Sequence, residues 1–355
     1  LEKQTRFWMP AEWEKHEATW LAWPHNQGTW PGTLERAQAE WVELVRYIAA
    51  GETACIVAAG EHLAQARRAL KHVANIEFFD IATNDAWIRD YGPTFIFNSD
   101  RQLHGINWTY NGWGQKYPPF ELDQRVASRI AQMLAIPSVD AELVAEGGAL
   151  EVNGQGWALT TASCLLNSNR NPSWDAEQLQ VFLGRLLGAD RVLLLPGDWP
   201  RAAADPPPTH LIAGLPGDDT DGHIDQLARF IDPQTLLIAD MPSQPDWHRR
   251  NRQTLERWAT TTGNGSRVFS LPLPPVFPRR GGRTIPTSYL NFYICNRAVL
   301  VPQFDDVIAD QQALEILAVF ADREVIGLPS NYLSIGLGSF HCLTQQQPEA
   351  PPANA

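Results

Sequence analysis

The chain has 355 residues, 44% of them hydrophobic, enough to bury a sizeable core and, on length alone, to divide into two domains. Its 28 basic and 40 acidic side chains give a formal charge of −12, which disfavours nucleic acid and anionic membrane surfaces as partners and suits a cationic ligand. No apolar run approaches the ~18 residues of a membrane helix, and LEKQTRFWMP lacks the apolar stretch of a signal peptide. A soluble, cytoplasmic protein is therefore expected, with Leu1 leaving room for a trimmed leader and the oligomeric state open.

In chain order, the first pieces are HEATWLAW, the amphipathic helix 33–51, ETACIVAA and NIEFFDIA. Next, NDAWIRDYGPTFIFN turns at Asn98-Ser99-Asp100 and returns as QLHGINWTY, followed by a helix over 121–134. EGGALEV then turns at Asn153-Gly154 into GWALTT, with a helix over 174–188 and a strand over 191–196. A two-residue Asn-Gly turn between β-patterned runs is a good hairpin signal. GHIDQLARFI turns at Asp232-Pro233 into TLLIAD, with a helix near 246–259 and a strand over 267–272. SYLNFYIC turns at Asn296-Arg297 into AVLVP, with a helix near 307–321 and a strand over 324–329.

Each of the last four units opens on a polar cluster, then shows a hairpin, a helix and a strand. The N-terminal pieces make a fifth unit that lacks one strand. This layout predicts an α/β fold of five pseudo-symmetric ββαβ units, a five-bladed α/β-propeller over residues 1–355. The missing strand is expected from the chain's end, around 336–346, which would carry Cys342 to the centre. Residues 347–355 read as a disordered tail, and the segments 201–210 and 272–282 as long rim loops.

The polar openings bring forward Asp85, Asp90, Glu146, His223, Asp225, Ser288 and Asn291, with Cys342 from the closing segment. The four cysteines form no CxxC pair, and Cys55 and Cys295 lie in apolar runs that read as core. Cys342 lies among glycines and polar residues. A nucleophilic thiol needs an acid or base partner, and imidazole suits that work. The carboxylates point to a cationic electrophile, because acyl transfer needs donors for an oxyanion, whereas a guanidinium is bound by carboxylates in pairs.

These stretches resemble the agmatine deiminases and their bacterial peptidylarginine deiminase relatives in the guanidino-group-modifying superfamily. The resemblance rests on MPAEWEKHEATWLAWPHN, NDAWIRDYGPTF, EGGALEV, TASCLLNSNRNP, DDTDGHID, SYLNFYICNRAVLVPQFD and GLGSFHCLTQQQP, in that order. It implies the five-bladed propeller, with Cys342 as nucleophile and His223 as general acid and base. It also implies that Asp90 and Asp225 hold the guanidinium nitrogens, that Glu146 orients the guanidinium and assists His223, and that Trp87 walls the substrate's aliphatic chain. His341 corresponds to a residue without a proton-transfer role.

At the nucleophile agmatine deiminases read GGGNIHC, where this chain has Leu337 and Ser339 for the second Gly and the Asn. Before the histidine they tend to read EETDGH. Here Asp218 and Asp219 stand as shorter carboxylates near the expected amine position. The implied reaction is hydrolytic deimination through an amidino-thioether, without metal or organic cofactor, and agmatine is the expected substrate. An arginyl peptide is the alternative. More distant readings are a manganese ureohydrolase, suggested by DGHID but lacking a DxD-type second cluster, and a non-catalytic propeller using its fourteen Trp for binding. Most of those Trp, such as Trp41 at helical spacing, read more simply as core.

Overall fold

Turn chemistry sets the hairpins. Glu151–Val152 and Trp157–Thr161 pair antiparallel across Asn153-Gly154. Gly154 takes φ 68°, and Asn153 Oδ1 accepts from the backbone of Gln155 and Trp157 at 2.9 and 3.0 Å. Ala228–Asp232 and Thr235–Ala239 pair antiparallel around Asp232-Pro233. The computed structural model describes residues 6–196, 215–241, 245–263, 265–275, 279–280 and 282–351.

Helices carry the chain from each hairpin to the next strand, and their apolar stripes explain why they form. Ala37, Trp41, Leu44, Val45 and Ile48 line one face of Leu34–Ala49, and Leu179, Leu183 and Leu187 one face of Ala176–Leu187. The second helix starts with a capping box between Asp175 and Gln178 and stops at Gly188, which takes φ 69°. Trp20, Trp30 and Trp41 are fully buried, so the core reading of these tryptophans holds. Cys55 and Cys295 are likewise buried and free.

Among the described residues the strands form five sheets of three or four strands and one two-stranded hairpin, Arg279–Arg280 with Arg283–Thr284. In four of the five, an antiparallel hairpin is extended by a parallel strand that follows a helix. The fifth has His16–Ala22 parallel to Thr53–Ala58, and Gln345–Pro348 antiparallel on its other side. The chain's end thus completes the N-terminal unit, although the strand starts later than expected. Residues 337–344 turn instead, with Leu343 N donating to Ser339 O at 3.1 Å and Thr344 N to His341 O at 3.1 Å. Gln347 and Pro348, expected in a tail, belong to the strand, where Gln347 Oε1 accepts from Trp20 Nε1 at 2.9 Å. Residues 352–355, the 201–210 loop and part of the 272–282 loop lie outside the described residues. Among the described residues no helix is long and apolar enough to cross a membrane.

Candidate active site

Short turns at the hairpin openings hold the predicted side chains. Asp90 lies in the single helical turn Ile88–Tyr91, Glu146 caps Gly147–Ala149, His223 caps Ile224–Gln226, and Asn291 ends Tyr289–Asn291. A cavity of about 590 Å³ reaches Cys342 and Asp90 and is walled by Trp87, Trp113, Asp85 and Asp219. That volume is ordinary for a small-molecule site.

Cys342 Sγ lies 3.4 Å from Asp225 Oδ2 and accepts from Asn291 Nδ2 at 3.2 Å. Asn291 also accepts, through Oδ1, from the backbone of Ser339 at 3.1 Å and Cys342 at 3.3 Å. One amide therefore ties down the whole nucleophile turn. Burial, reinforced by Asp225 and Asp90, pushes the Cys342 thiol well above its ordinary pKa.

His223 is fully buried, with Nδ1 3.8 Å from Asp90 Oδ1 and Nε2 3.5 Å from Glu146 Oε2. Neither approach meets hydrogen-bond geometry, so both ring nitrogens stay available. Burial disfavours the imidazolium, but Asp90, Cys164 and Glu146 together outweigh it and raise the His223 pKa well above the ordinary value. Burial likewise opposes ionisation of Glu146, yet the Arg170 guanidinium, 2.7 Å from Oε1, brings its carboxyl down to about 2. Asp90 has no guanidinium beside it, only the His223 ring at 3.8 Å, which lowers its pKa less than burial raises it. Burial dominates and lifts it to about 6, although Trp113 Nε1 and Gly148 N each donate to it at 2.9 Å.

These groups converge on one point beside Gly148. A Cβ on that residue would lie 2.7 Å from Asp90 Oδ1, 2.7 Å from His223 Nδ1 and 3.1 Å from Asp225 Oδ2. Trp87 lies against the nucleophile loop, so that Cβ atoms on Gly336 and Gly338 would each come within 2.6 Å of its ring. Leu337, where agmatine deiminases carry glycine, takes φ 73° and ψ 13°, the left-handed region that glycine enters without steric cost. Ser339, in place of the asparagine, bonds Ser330 Oγ at 2.7 Å.

The profile of the Porphyromonas-type peptidyl-arginine deiminase family matches residues 8–348. The chain belongs to this family. It is 34% identical over 369 residues to the agmatine deiminase of Pseudomonas savastanoi pv. phaseolicola, covering 96% of this chain and 95% of that one. Its fold is similar to the agmatine deiminase of Enterococcus faecalis, with TM-score 0.85, 27% identity and 99% of each chain covered. It is also similar to a C. jejuni agmatine deiminase with substrate bound, with TM-score 0.84, 26% identity and 99% and 98% covered.

In this family member, Cys342, His223, Glu146, Asp90, Asp225 and Trp87 come together, whereas Asp218 and Asp219 are already engaged. Asp218 folds into its own loop, accepting from Thr220 N at 2.9 Å and Gly222 N at 3.0 Å. Asp219 lines the cavity, but Arg283 lies 3.0 Å from its Oδ2 and the Tyr117 hydroxyl donates to it. Asp85 lines the wall and accepts from Asn26, Thr29 and Ala86 N. Ser288 bonds Gln226 O at 2.9 Å. Sequence reasoning gave no role to Arg170, Trp113 or Cys164, whose sulfur lies 3.8 Å from Glu146 Oε2. Arg170 did stand in the quoted TASCLLNSNRNP, but an arginine there carries no local sign that it will be buried against a glutamate.

The Gly148 geometry gives a direct expectation. Gly148 is not among the positive-φ glycines, so alanine there would need no left-handed backbone, but its Cβ would press on Asp90 and His223. Gly148→Ala is expected to lower kcat/KM at least about 100-fold through displaced reacting groups, at an overpacking cost of about 1–3 kcal/mol. Steady-state kinetics with a thermal melt would check it, and near-normal kcat/KM would mean that the placement of Asp90 and His223 does not limit the reaction.

Proposed function

We propose that this chain deiminates a cationic guanidine hydrolytically, with agmatine as substrate and N-carbamoylputrescine and ammonia as products. The observation that carries the proposal is the convergence of Asp90, His223 and Asp225 on one point beside Gly148, with the Cys342 sulfur 3.4 Å from Asp225. The substrate named for the relatives agrees with it. We further read the five sheets as five blades of an α/β-propeller within one domain, which the repeated hairpin, helix and strand order supports.

Asp90 and Asp225 receive the guanidinium N–H groups, the Cys342 thiol releases its proton to solvent as the cation binds, and the resulting thiolate adds to the central carbon. The tetrahedral adduct collapses as one C–N bond breaks, His223 gives its proton to the leaving nitrogen, and ammonia departs. The remaining amidino-thioether is attacked by water, which loses its proton to His223. The C–S bond then breaks to return the thiol and release the ureido product. Glu146, fixed by Arg170, keeps His223 cationic for the first half of the reaction.

A second reading, an arginyl peptide, is favoured by one observation: Asp218 and Asp219, expected to meet the ammonium of agmatine, already have partners. A panel of agmatine, free arginine and a blocked arginyl peptide, followed by ureido product and ammonia, decides between them. Agmatine is expected to turn over much faster than the peptide. Equal or faster peptide turnover would give the site to arginyl chains.

A further inference from the structure

His341 adjoins the nucleophile and meets the same Asp225 oxygen as the Cys342 sulfur. Its Nδ1 lies 2.8 Å from Asp225 Oδ2 and its Nε2 3.0 Å from Glu12 Oε2, with all three side chains at least nine-tenths buried. A neutral imidazole has one N–H, which His341 can place on Asp225 Oδ2 or on Glu12 Oε2, and burial, with Arg229 and Arg89 nearby, lowers the ring's pKa. Glu12 is itself fixed by Arg229 at 3.0 Å, Arg89 at 3.3 Å and Ile294 N at 2.8 Å. Arg89 closes the assembly, because its Nε donates to His341 O at 3.2 Å and its backbone N to Cys342 O at 3.3 Å.

Asp225 and Asp90 form a natural comparison, since both are buried acids beside the same space. Asp90, bonded to an indole and one backbone amide, is lifted to about 6. Asp225 is equally buried, yet His341, together with His223 and Arg229, outweighs burial and keeps it below its ordinary value. Its Oδ1 has no hydrogen-bond partner despite full burial. A buried carboxylate oxygen without a partner is costly unless something else binds it, and a guanidinium N–H is the donor this site awaits.

We propose that Glu12 and His341 form a buried clamp on Asp225, engaging Oδ2 so that Asp225 stands beside Cys342 with Oδ1 left for the substrate guanidinium. His341 is thus a positioning residue that acts through Asp225, and Glu12 positions His341. The inference rests on the proposed guanidine chemistry and assigns a role to a segment, around Glu12, far in sequence from the reacting groups.

The test compares wild type with His341→Asn, which cannot span both carboxylates, and Glu12→Gln, which keeps an acceptor without the charge. The readout is the ratio of Cys342 alkylation by cationic chloroacetamidine to that by neutral chloroacetamide, beside kcat, KM and the melting temperature. Losing hydrogen bonds to a charged group predicts a ratio lower by about 10- to 100-fold in His341→Asn, with KM for the guanidine raised and the neutral reagent's rate changed less than about threefold. Glu12→Gln should shift the ratio in the same direction by less, and it carries the test if His341→Asn does not fold. An unchanged ratio in the folded variant, or equal loss of both alkylation rates with a falling melting temperature, would overturn the clamp and leave the guanidine reading standing. A wild-type ratio near one would overturn both.

Discussion

Cys342→Ala is expected to lower guanidine turnover at least about 10⁴-fold while the protein stays folded, because the sulfur forms the bond that defines the reaction. Its structural duties are small. Sγ meets Asn291 Nδ2 and Asp225 Oδ2, and the turn is held separately by Asn291 Oδ1 on two backbone amides. Loss of one hydrogen bond should cost about 1 kcal/mol and move the thermal midpoint by no more than a few degrees. Chelators should leave wild-type activity unchanged. Activity removed by a chelator and restored by manganese would replace the thiol mechanism with a metal one.

The second large effect concerns how the thiol is activated. A free cysteine with pKa near ~8.5 is only a few per cent thiolate at pH 7. Burial and the negative charges of Asp225 and Asp90 lower that fraction further in the empty enzyme. A guanidinium held by Asp90 and Asp225 beside Cys342 reverses the balance, since its charge opposes those carboxylates next to the sulfur. A shift of one pKa unit needs only about 1.4 kcal/mol of differential interaction. Cationic haloacetamidine should therefore alkylate Cys342 far faster than neutral iodoacetamide, with anionic iodoacetate slowest. The neutral reagent's rate should keep rising through alkaline pH, because the raised pKa places thiolate formation there. Similar cationic and neutral rates, or a thiolate absorbance in the free enzyme titrating below neutrality, would show that the protein alone activates the thiol.

The hairpins were legible because their turns are local. Asn153-Gly154 and Asp232-Pro233 fix chain reversals within a few residues, and the third strands follow helices whose apolar stripes repeat at three and four. The closing strand was misplaced by several residues because 336–348 is rich in glycine and glutamine and has no apolar alternation to set a start. Asp218 was assigned to substrate although DDTDG carries the signal of an Asx-type turn, a carboxylate placed to accept from the backbone two residues on. The residues proposed to react were named through resemblance, and their supports were not. Glu12, Arg89, Arg229 and Arg170 are charged residues that sequence alone would place in solvent. Their burial depends on partners dozens to hundreds of positions away, such as Glu12 for Arg89 and Glu151 for Arg229.

The claim that Cys342 attacks the guanidinium carbon is tested most directly by quenching the enzyme in acid during turnover of agmatine and measuring the intact and peptide masses. The account predicts an added mass equal to the substrate less ammonia, carried by the peptide that contains Cys342 and absent from Cys342→Ala. An unmodified Cys342 during active turnover, or urea as the released product, would contradict it.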